Sequence, residues 1–159
     1  MNQQLRKLVL ESNLTSDQFE TEKLEFGLAC IDRIAHLLID ERLNSPIECV
    51  RQYIKGEVSA DTYRDQLQLA KQLAQSHTGS HGIDGAGNAA VSASFAVTKA
   101  LAGDVINGAE YAAYALVYSY ASHTVTNPDA FTAEYQWQTE TLRQILKKTE
   151  TLSTLEHNG

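Results

Sequence analysis

The chain has 159 residues, of which 43% are hydrophobic and 21% are charged, a balance typical of a globular domain and not of a disordered chain. The formal net charge is −7, and Lys99 is the only base between positions 72 and 142. Nucleic acid is therefore disfavoured as a partner, because its phosphates are bound through Lys and Arg, whereas a basic protein is allowed.

The N-terminal quarter predicts a short helix and then a long one. Apolar residues at the start of the chain indicate the short helix: Leu5, Leu8 and Val9. Thr15 or Ser16 provides the start signal of the long helix, with acidic residues in its first turn. Its apolar stripe runs on at steps of three and four residues: Leu24, Leu28, Ile31, Ala35 and Leu38.

Two further helices are predicted from their end signals. Ser45 and Glu48 form a capping box around Pro46, which suits a first helical turn. Gly56 is expected to end this helix in a left-handed conformation. Ser59 then opens the next helix, whose apolar face shares a helical period: Tyr63, Leu67, Ala70 and Ala74.

The second half begins with an alanine-rich helix ending at Gly103, whose small side chains should let a neighbouring helix approach closely. Asn107 and Glu110 form a second capping box at the start of the next helix. The segment 108–123 is apolar on nearly all sides. We therefore expect it to be the central helix, covered by others.

The last helix is expected to have Asn127 as its N-cap and Pro128 in its first turn. Its inward residues follow a helical period: Phe131, Tyr135, Leu142 and Ile145. Trp137, the only tryptophan, is expected to be partly buried. Because no segment alternates with period two, the sequence predicts an all-α fold, a single domain over 1–159 with six or seven helices packed as antiparallel hairpins.

The segment 76–90, SHTGSHGIDGAGNAA, carries the residues that most resemble a chemical site. In a helix, His77, His81 and Asp84 would share one side and, with His123 as a further candidate, could hold a metal such as Zn²⁺. Four glycines interrupt that frame: Gly79, Gly82, Gly85 and Gly87. The favoured interpretation is an inter-helix joint over residues 76–87, and a metal site is the alternative.

A second candidate for chemistry lies in the long helix. His36 stands four residues from both Asp32 and Asp40, a spacing that could form a proton-transfer trio. A polar helix edge is the favoured interpretation. No motif of a known catalytic or cofactor-binding family is present, so no cofactor is expected.

The two cysteines and the hydropathy profile bear on the compartment. Cys30 and Cys49 form no CxxC motif and are expected to be buried free thiols. No apolar stretch is long enough for a signal peptide or a membrane span. A cytoplasmic protein is therefore expected.

A stripe of tyrosines in the central helix suggests a binding surface, although packing in the core is the commoner fate of such residues. Tyrosine is enriched among interface anchors, and acidic residues lie nearby in the sequence. The candidate partner-binding residues are Asp104, Glu110, Tyr111, Tyr114, Tyr118 and Glu134.

The order of the segments SPIECVRQYIKGEVSADTYRDQLQLAKQLAQ, AEYAAYAL and EYQWQTETL resembles a bacterial immunity family of polymorphic toxin systems, immunity family five. The resemblance covers roughly residues 24–146. It includes a proline-led helix that ends in Gly56-Glu57 and a short motif before the last helix's leucine, matched by Glu134, Trp137, Gln138 and Leu142. Asp104 and Gly108 stand where the family has a histidine pair.

The resemblance implies a small helical protein that binds and neutralises a toxin without chemistry of its own. The favoured function is therefore a non-enzymatic protein-binding module, with a cognate basic toxin domain as partner. A small metal-dependent enzyme using His77, His81 and Asp84 is one alternative. A self-associating helical scaffold is another, and a homodimer is allowed.

Overall fold

The computed structural model describes residues 1–76, 85–120 and 129–158. These ranges contain seven α-helices and three short 3-10 turns, and no strand. The helices are α1 (Gln3–Glu11), α2 (Glu20–Ile34), α3 (Asn44–Ile54), α4 (Ala60–Ser76), α5 (Gly85–Leu101), α6 (Val105–Tyr120) and α7 (Asp129–Asn158). The predicted all-α fold is confirmed.

Two hydrophobic clusters form the core, and α2 and α5 contribute to both. The first joins α1, α2, α5, α6 and α7, with Phe26 and Leu142 fully buried in it. The second joins α2, α3, α4 and α5 and contains Val50, Leu73 and Val97. Helices α2 and α5 thus lie between two groups of helices, with α1, α6 and α7 in one cluster and α3 and α4 in the other.

The centre of the molecule is a close approach of α2, α5 and α6 around Ala100. A Cβ atom on Gly27 of α2 would lie 2.7 Å from the Ala100 carbonyl oxygen, and one on Gly108 of α6 would lie 3.1 Å from the Ala100 backbone nitrogen. Small residues therefore bring the helices together, as the alanine-rich pattern predicted. Helix α6 contacts α2, α5 and α7, which confirms its central place.

The long helix predicted over residues 15–43 is wrong in its extent. It begins with a 3-10 turn over Asp17–Phe19, and α2 ends at Ile34. A 3-10 turn and an extended residue, Leu38, follow. This break lets Leu38 pack against both hydrophobic clusters, which the apolar stripe alone did not reveal.

Two predicted helix starts are also displaced. Helix α3 begins at Asn44, and the hydroxyl of Ser45 hydrogen-bonds to a side chain of α4 at 3.0 Å instead of capping. Helix α6 begins at Val105, where the carboxylate of Asp104, and not Asn107, accepts the hydrogen bond of an early backbone N–H. The cap of α6 therefore lies three residues earlier than predicted, whereas no side chain caps α3.

Other local predictions are confirmed. Gly56 and Gly103 adopt φ values of 76° and 78° at the ends of α3 and α5. The hydroxyl of Ser59 accepts a hydrogen bond from the backbone N–H of Thr62 and so caps α4. The predicted cap Asn127 and the following Pro128 lie outside the described residues. So does most of the predicted joint, although α5 already begins at Gly85.

The cysteines and the hydropathy give two further observations. Cys30 and Cys49 are buried free thiols, as predicted. Burial, with a smaller effect of the Glu134 carboxylate, raises the pKa of Cys30 to about 12. In the part of the chain that the structure describes, no helix is long and apolar enough to cross a membrane.

Candidate functional site

The three tyrosines of α6 do not form one surface. Tyr111 stacks on Phe95 of α5, with ring centroids 5.5 Å apart, and packs against the first hydrophobic cluster. Tyr114 and Tyr118 instead lie together, 6.0 Å apart, near the C-terminal end of the helix. All three are half-buried, so neither full burial nor full exposure describes them.

Helix α7 adds two aromatic rings beside this pair. The ring of Phe131 meets Tyr114 edge-on at 5.3 Å, and Tyr135 lies 5.6 Å from Phe131. We call Tyr114, Tyr118, Phe131 and Tyr135 the aromatic face. Each ring is half-buried, so the face offers amphipathic side chains that are already held in place by their neighbours. Pre-ordered rings of this kind lose little entropy when they bind.

Glu110 supplies the carboxylate of this face. Its side chain is 19% exposed, and its Oε1 lies 3.7 Å from the α-amino group of Met1. Burial, together with the charge of Glu110 and a hydrogen bond to it, raises the pKa of Tyr114. Burial and the same carboxylate raise the pKa of Tyr135 to about 12. The hydroxyl of Tyr114 is thus already engaged by the carboxylate of Glu110 within this face.

Asp104 lies at the other end of α6 from the aromatic face. Its two carboxylate oxygens accept hydrogen bonds from the backbone N–H and the side-chain amide of Asn107, at 3.1 and 2.9 Å. Fourteen residues of helix separate it from Tyr118, which corresponds to about 20 Å. The structure therefore gives Asp104 a role as helix cap and does not bring it to the tyrosines.

Glu134 is buried, with 6% of its surface exposed, and forms a bidentate ion pair with Arg33 of α2. The two N···O distances are 2.7 and 2.8 Å. The Arg33 guanidinium also lies over the ring of Trp137, 4.4 Å from its centroid. Trp137 is half-buried as predicted, whereas Glu134 is held inside and offers no free carboxylate at the surface.

The motif of α7 that contributes to the resemblance makes its contacts within the fold. Beside Glu134 and Trp137, the side-chain amide of Gln138 donates a hydrogen bond to the carbonyl oxygen of Ala109 at 2.8 Å. Its Oε1 accepts one from the buried Asn2 at 3.2 Å. Together they fasten α7 to α2, to α6 and to the N-terminal residues.

Sequence reasoning missed the partner residues of this network, Arg33 and Asn2. It also missed the inward direction of Glu134 and Gln138. A signal existed for the latter two, because they stand eight and four residues before the buried Leu142 and so share its side of the helix. No comparable signal links Arg33 to a residue 101 positions away.

The structure does not test the predicted metal site. His77, His81, Asp84 and His123 lie outside the described residues. Within the described ranges, no group of three or more His, Cys, Asp or Glu side chains is placed to hold a metal ion.

The proton-transfer trio around His36 is not formed. Helix α2 ends before this residue, and the flanking acids pair with arginines, Asp32 with Arg51 and Asp40 with Arg42. His36 itself is exposed on the 3-10 turn that follows α2, which fits the polar-edge interpretation.

Comparison with known proteins gives one match. A family model described as "Imm-5 like putative immunity protein" matches residues 14–145. No curated protein and no solved structure matches the chain. The matched range includes α2 to α6, the aromatic face and, apart from Asn2, the network around Glu134. The chain therefore belongs to the Imm-5-like family of immunity proteins.

Proposed function

We propose that this protein neutralises a toxin by binding it and covering a surface that the toxin needs. The observation that carries the proposal is the family match over residues 14–145, since an immunity protein acts on a protein toxin. Binding without catalysis is sufficient for such a role. The absence of a catalytic motif in the sequence is consistent with this mechanism.

We place the aromatic face in the contact with the toxin. Tyrosine rings supply large contact areas, and interface hot spots are enriched in Tyr. Here four half-buried rings lie side by side on α6 and α7, and the charge of Glu110 acts on two of them, Tyr114 and Tyr135. Tyr111 is assigned a packing role instead, because it stacks on Phe95.

The partner we propose is a basic toxin domain. The net charge of −7 would speed its encounter with such a partner, an effect that weakens with salt. Asp104 and Glu134 contribute to this long-range field, but their local hydrogen bonds make them poor direct contacts. Glu110, whose carboxylate is hydrogen-bonded to Tyr114, is the acid that we assign to the contact.

We place the encounter in the cytoplasm. Two buried cysteines remain as free thiols in the described structure, which suits a reducing compartment.

Co-expression with the cognate toxin domain, sought first among the genes adjacent to this one, tests the proposal. Wild-type protein should restore growth, and a Tyr114→Ala/Tyr118→Ala variant should lose this protection while remaining folded by circular dichroism. Tyr53→Ala is the matched control, because it removes another half-buried, stacked ring far from the aromatic face. No protection by the wild type against an active toxin would contradict the proposal.

The same assay addresses the metal-dependent alternative. A His77→Ala/His81→Ala variant should protect as well as the wild type and melt at nearly the same temperature. Loss of protection together with loss of stoichiometric bound metal would favour the enzyme over the binding protein.

A further inference from the structure

A groove lies beside the segment that follows the end of α2 at Ile34. It lies between the C-terminal end of α2, the 3-10 turns over Ala35–Leu37 and Glu41–Leu43, and the first turns of α3. Its volume is about 560 Å³, within the range of ligand-sized pockets. None of the residues proposed above for toxin contact lines it.

The groove has an apolar floor and an acidic rim. Ile31, Ala35 and Ile47 form part of the floor, and the rim carries Asp32, Glu41 and Glu48. The extended segment that crosses the break also exposes a large apolar side chain, Ile39, which is 76% exposed between two lining residues. Ile39 thus adds exposed apolar surface beside the lining of the groove.

The charge of the rim determines which kind of side chain the groove favours. Asp40 is a fourth carboxylate in the lining of the groove. Two guanidinium groups lie near these acids: that of Arg51, which is in the lining, and that of Arg42, which pairs with Asp40. Four acids against two bases leave a formal charge of −2 at the groove. A basic group from outside is therefore favoured and an acidic one is repelled.

The chain itself shows how this rim holds a guanidinium. The guanidinium of Arg51 contacts the carboxylate of Asp32 at 2.5 Å and reaches that of Glu48 at 4.0 Å. Its planar fork suits carboxylates that are spaced in this way. A second guanidinium entering over Ala35 would find an apolar floor for its aliphatic stem and carboxylates for its head.

We infer that this groove is a second contact site for the toxin, and that it receives an arginine side chain from the toxin surface. The inference rests on the proposed function. It adds a contact that is separate from the aromatic face and names the chemistry of the group that enters. The apolar floor holds the methylene groups, and the carboxylates of Glu41 and Glu48 meet the guanidinium.

The test measures the affinity of full-length variants for the toxin domain that the wild type neutralises in the co-expression assay. Glu41→Lys/Glu48→Lys reverses the rim charge, and affinity should fall by about tenfold or more. Ala35→Trp fills the groove at an exposed position without changing the charge, and a similar loss is expected. Circular dichroism and melting curves establish that each variant is folded.

Two control variants separate the groove from general effects. Glu57→Lys/Asp65→Lys makes the same change in net charge at exposed positions on other parts of the surface, and Ala60→Trp adds an exposed ring at the start of α4. Both should bind within about twofold of the wild type at moderate salt. Equal losses in the groove variants and their controls would overturn the inference, as would unchanged affinity in Ala35→Trp.

The outcome also distinguishes this inference from the proposed function. A toxin that binds the wild type and all groove variants equally overturns the groove and leaves the proposed function standing. A toxin that does not bind the wild type contradicts the proposed function itself.

Discussion

At the scale of single residues, the most consequential contact is the ion pair between Arg33 and Glu134. The carboxylate is buried, and the guanidinium that neutralises it is 37% exposed and also covers Trp137. Such a pair contributes less through its own attraction than through the cost of breaking it, because removing one partner leaves a buried charge.

Arg33→Ala should lower the free energy of unfolding by about 2–3 kcal/mol, below the 3–5 kcal/mol of a fully buried pair because the arginine is partly exposed. Urea denaturation measures this loss. Replacing both partners, by Arg33→Met with Glu134→Gln, should cost less than Arg33→Met alone. Arg64→Ala is the control, since its exposed pair with Asp61 should contribute about 1 kcal/mol or less. Equal effects of Arg33→Ala and Arg64→Ala would contradict the structural role of the pair.

The fluorescence of Trp137 reports on its contact with the guanidinium of Arg33. Because it is the only tryptophan and is half-buried, its emission should lie to the blue of a fully exposed indole. Trp137→Ala should cost about 2–3 kcal/mol, less than the loss of a fully buried aromatic ring. Arg33→Ala should shift the emission, because the guanidinium leaves the ring. A fully exposed emission maximum, with an unchanged melt for Trp137→Ala, would refute this account.

At the scale of helices, the number and type of the elements followed from periodicity, whereas several boundaries did not. The stripe from Leu24 to Leu38 reads as one helix, yet α2 ends at Ile34. Leu38 packs against both hydrophobic clusters although it lies outside the helix, whereas Ala35 of the same stripe is exposed. Helix α5 ends at Leu101, and the left-handed Gly103 lies directly before Asp104, so that Asp104 and not Asn107 caps α6.

The candidate site was less predictable than the fold, because its geometry depends on contacts between helices that are far apart in the sequence. Helical spacing placed Tyr111, Tyr114 and Tyr118 on one stripe, but the positions of α5 and α7 divide that stripe between Phe95 and Phe131. The tertiary neighbours of a half-buried ring come from distant parts of the chain. A single sequence does not contain that information.

The close approach at Ala100 predicts how a Gly→Ala substitution changes the free energy of unfolding. Helix propensity predicts stabilisation and tight packing predicts destabilisation, so the sign of the change distinguishes the two effects. In an exposed helix Gly→Ala is favourable by up to about 1 kcal/mol. Gly27→Ala should instead destabilise by about 1–3 kcal/mol, because its new Cβ would meet the Ala100 carbonyl oxygen at 2.7 Å. Thermal and urea unfolding measure the change. Ala133→Gly at an exposed position of α7 calibrates propensity alone. A Gly27→Ala variant as stable as the wild type would contradict this packing.

At the scale of the whole molecule, burial of ionisable groups predicts sensitivity to alkaline pH. Burial raises the pKa of Tyr63 and Tyr135 to about 12, whereas the pKa in the unfolded chain is near 10. Above pH 10 the unfolded chain loses these protons while the folded chain keeps them, so the stability falls as the pH rises.

Urea unfolding should therefore give a lower free energy at about pH 11 than at about pH 8. Tyr135→Phe should reduce this difference, because phenylalanine cannot ionise. Cys30 acts in the same direction from about pH 9, since its pKa is also raised to about 12. Stability that does not change across this interval would show that these groups are solvated in the folded state.

The whole account depends most directly on one measurement, the binding kinetics of the purified protein with its cognate toxin domain. We predict a specific complex whose dissociation rate rises by about tenfold or more in Tyr118→Ala, while Tyr118→Phe and Tyr53→Ala stay near the wild type. Glu110→Gln should mainly slow association and reduce its dependence on salt. An active toxin that forms no complex with the wild type, or a complex insensitive to every residue of the aromatic face, would contradict it.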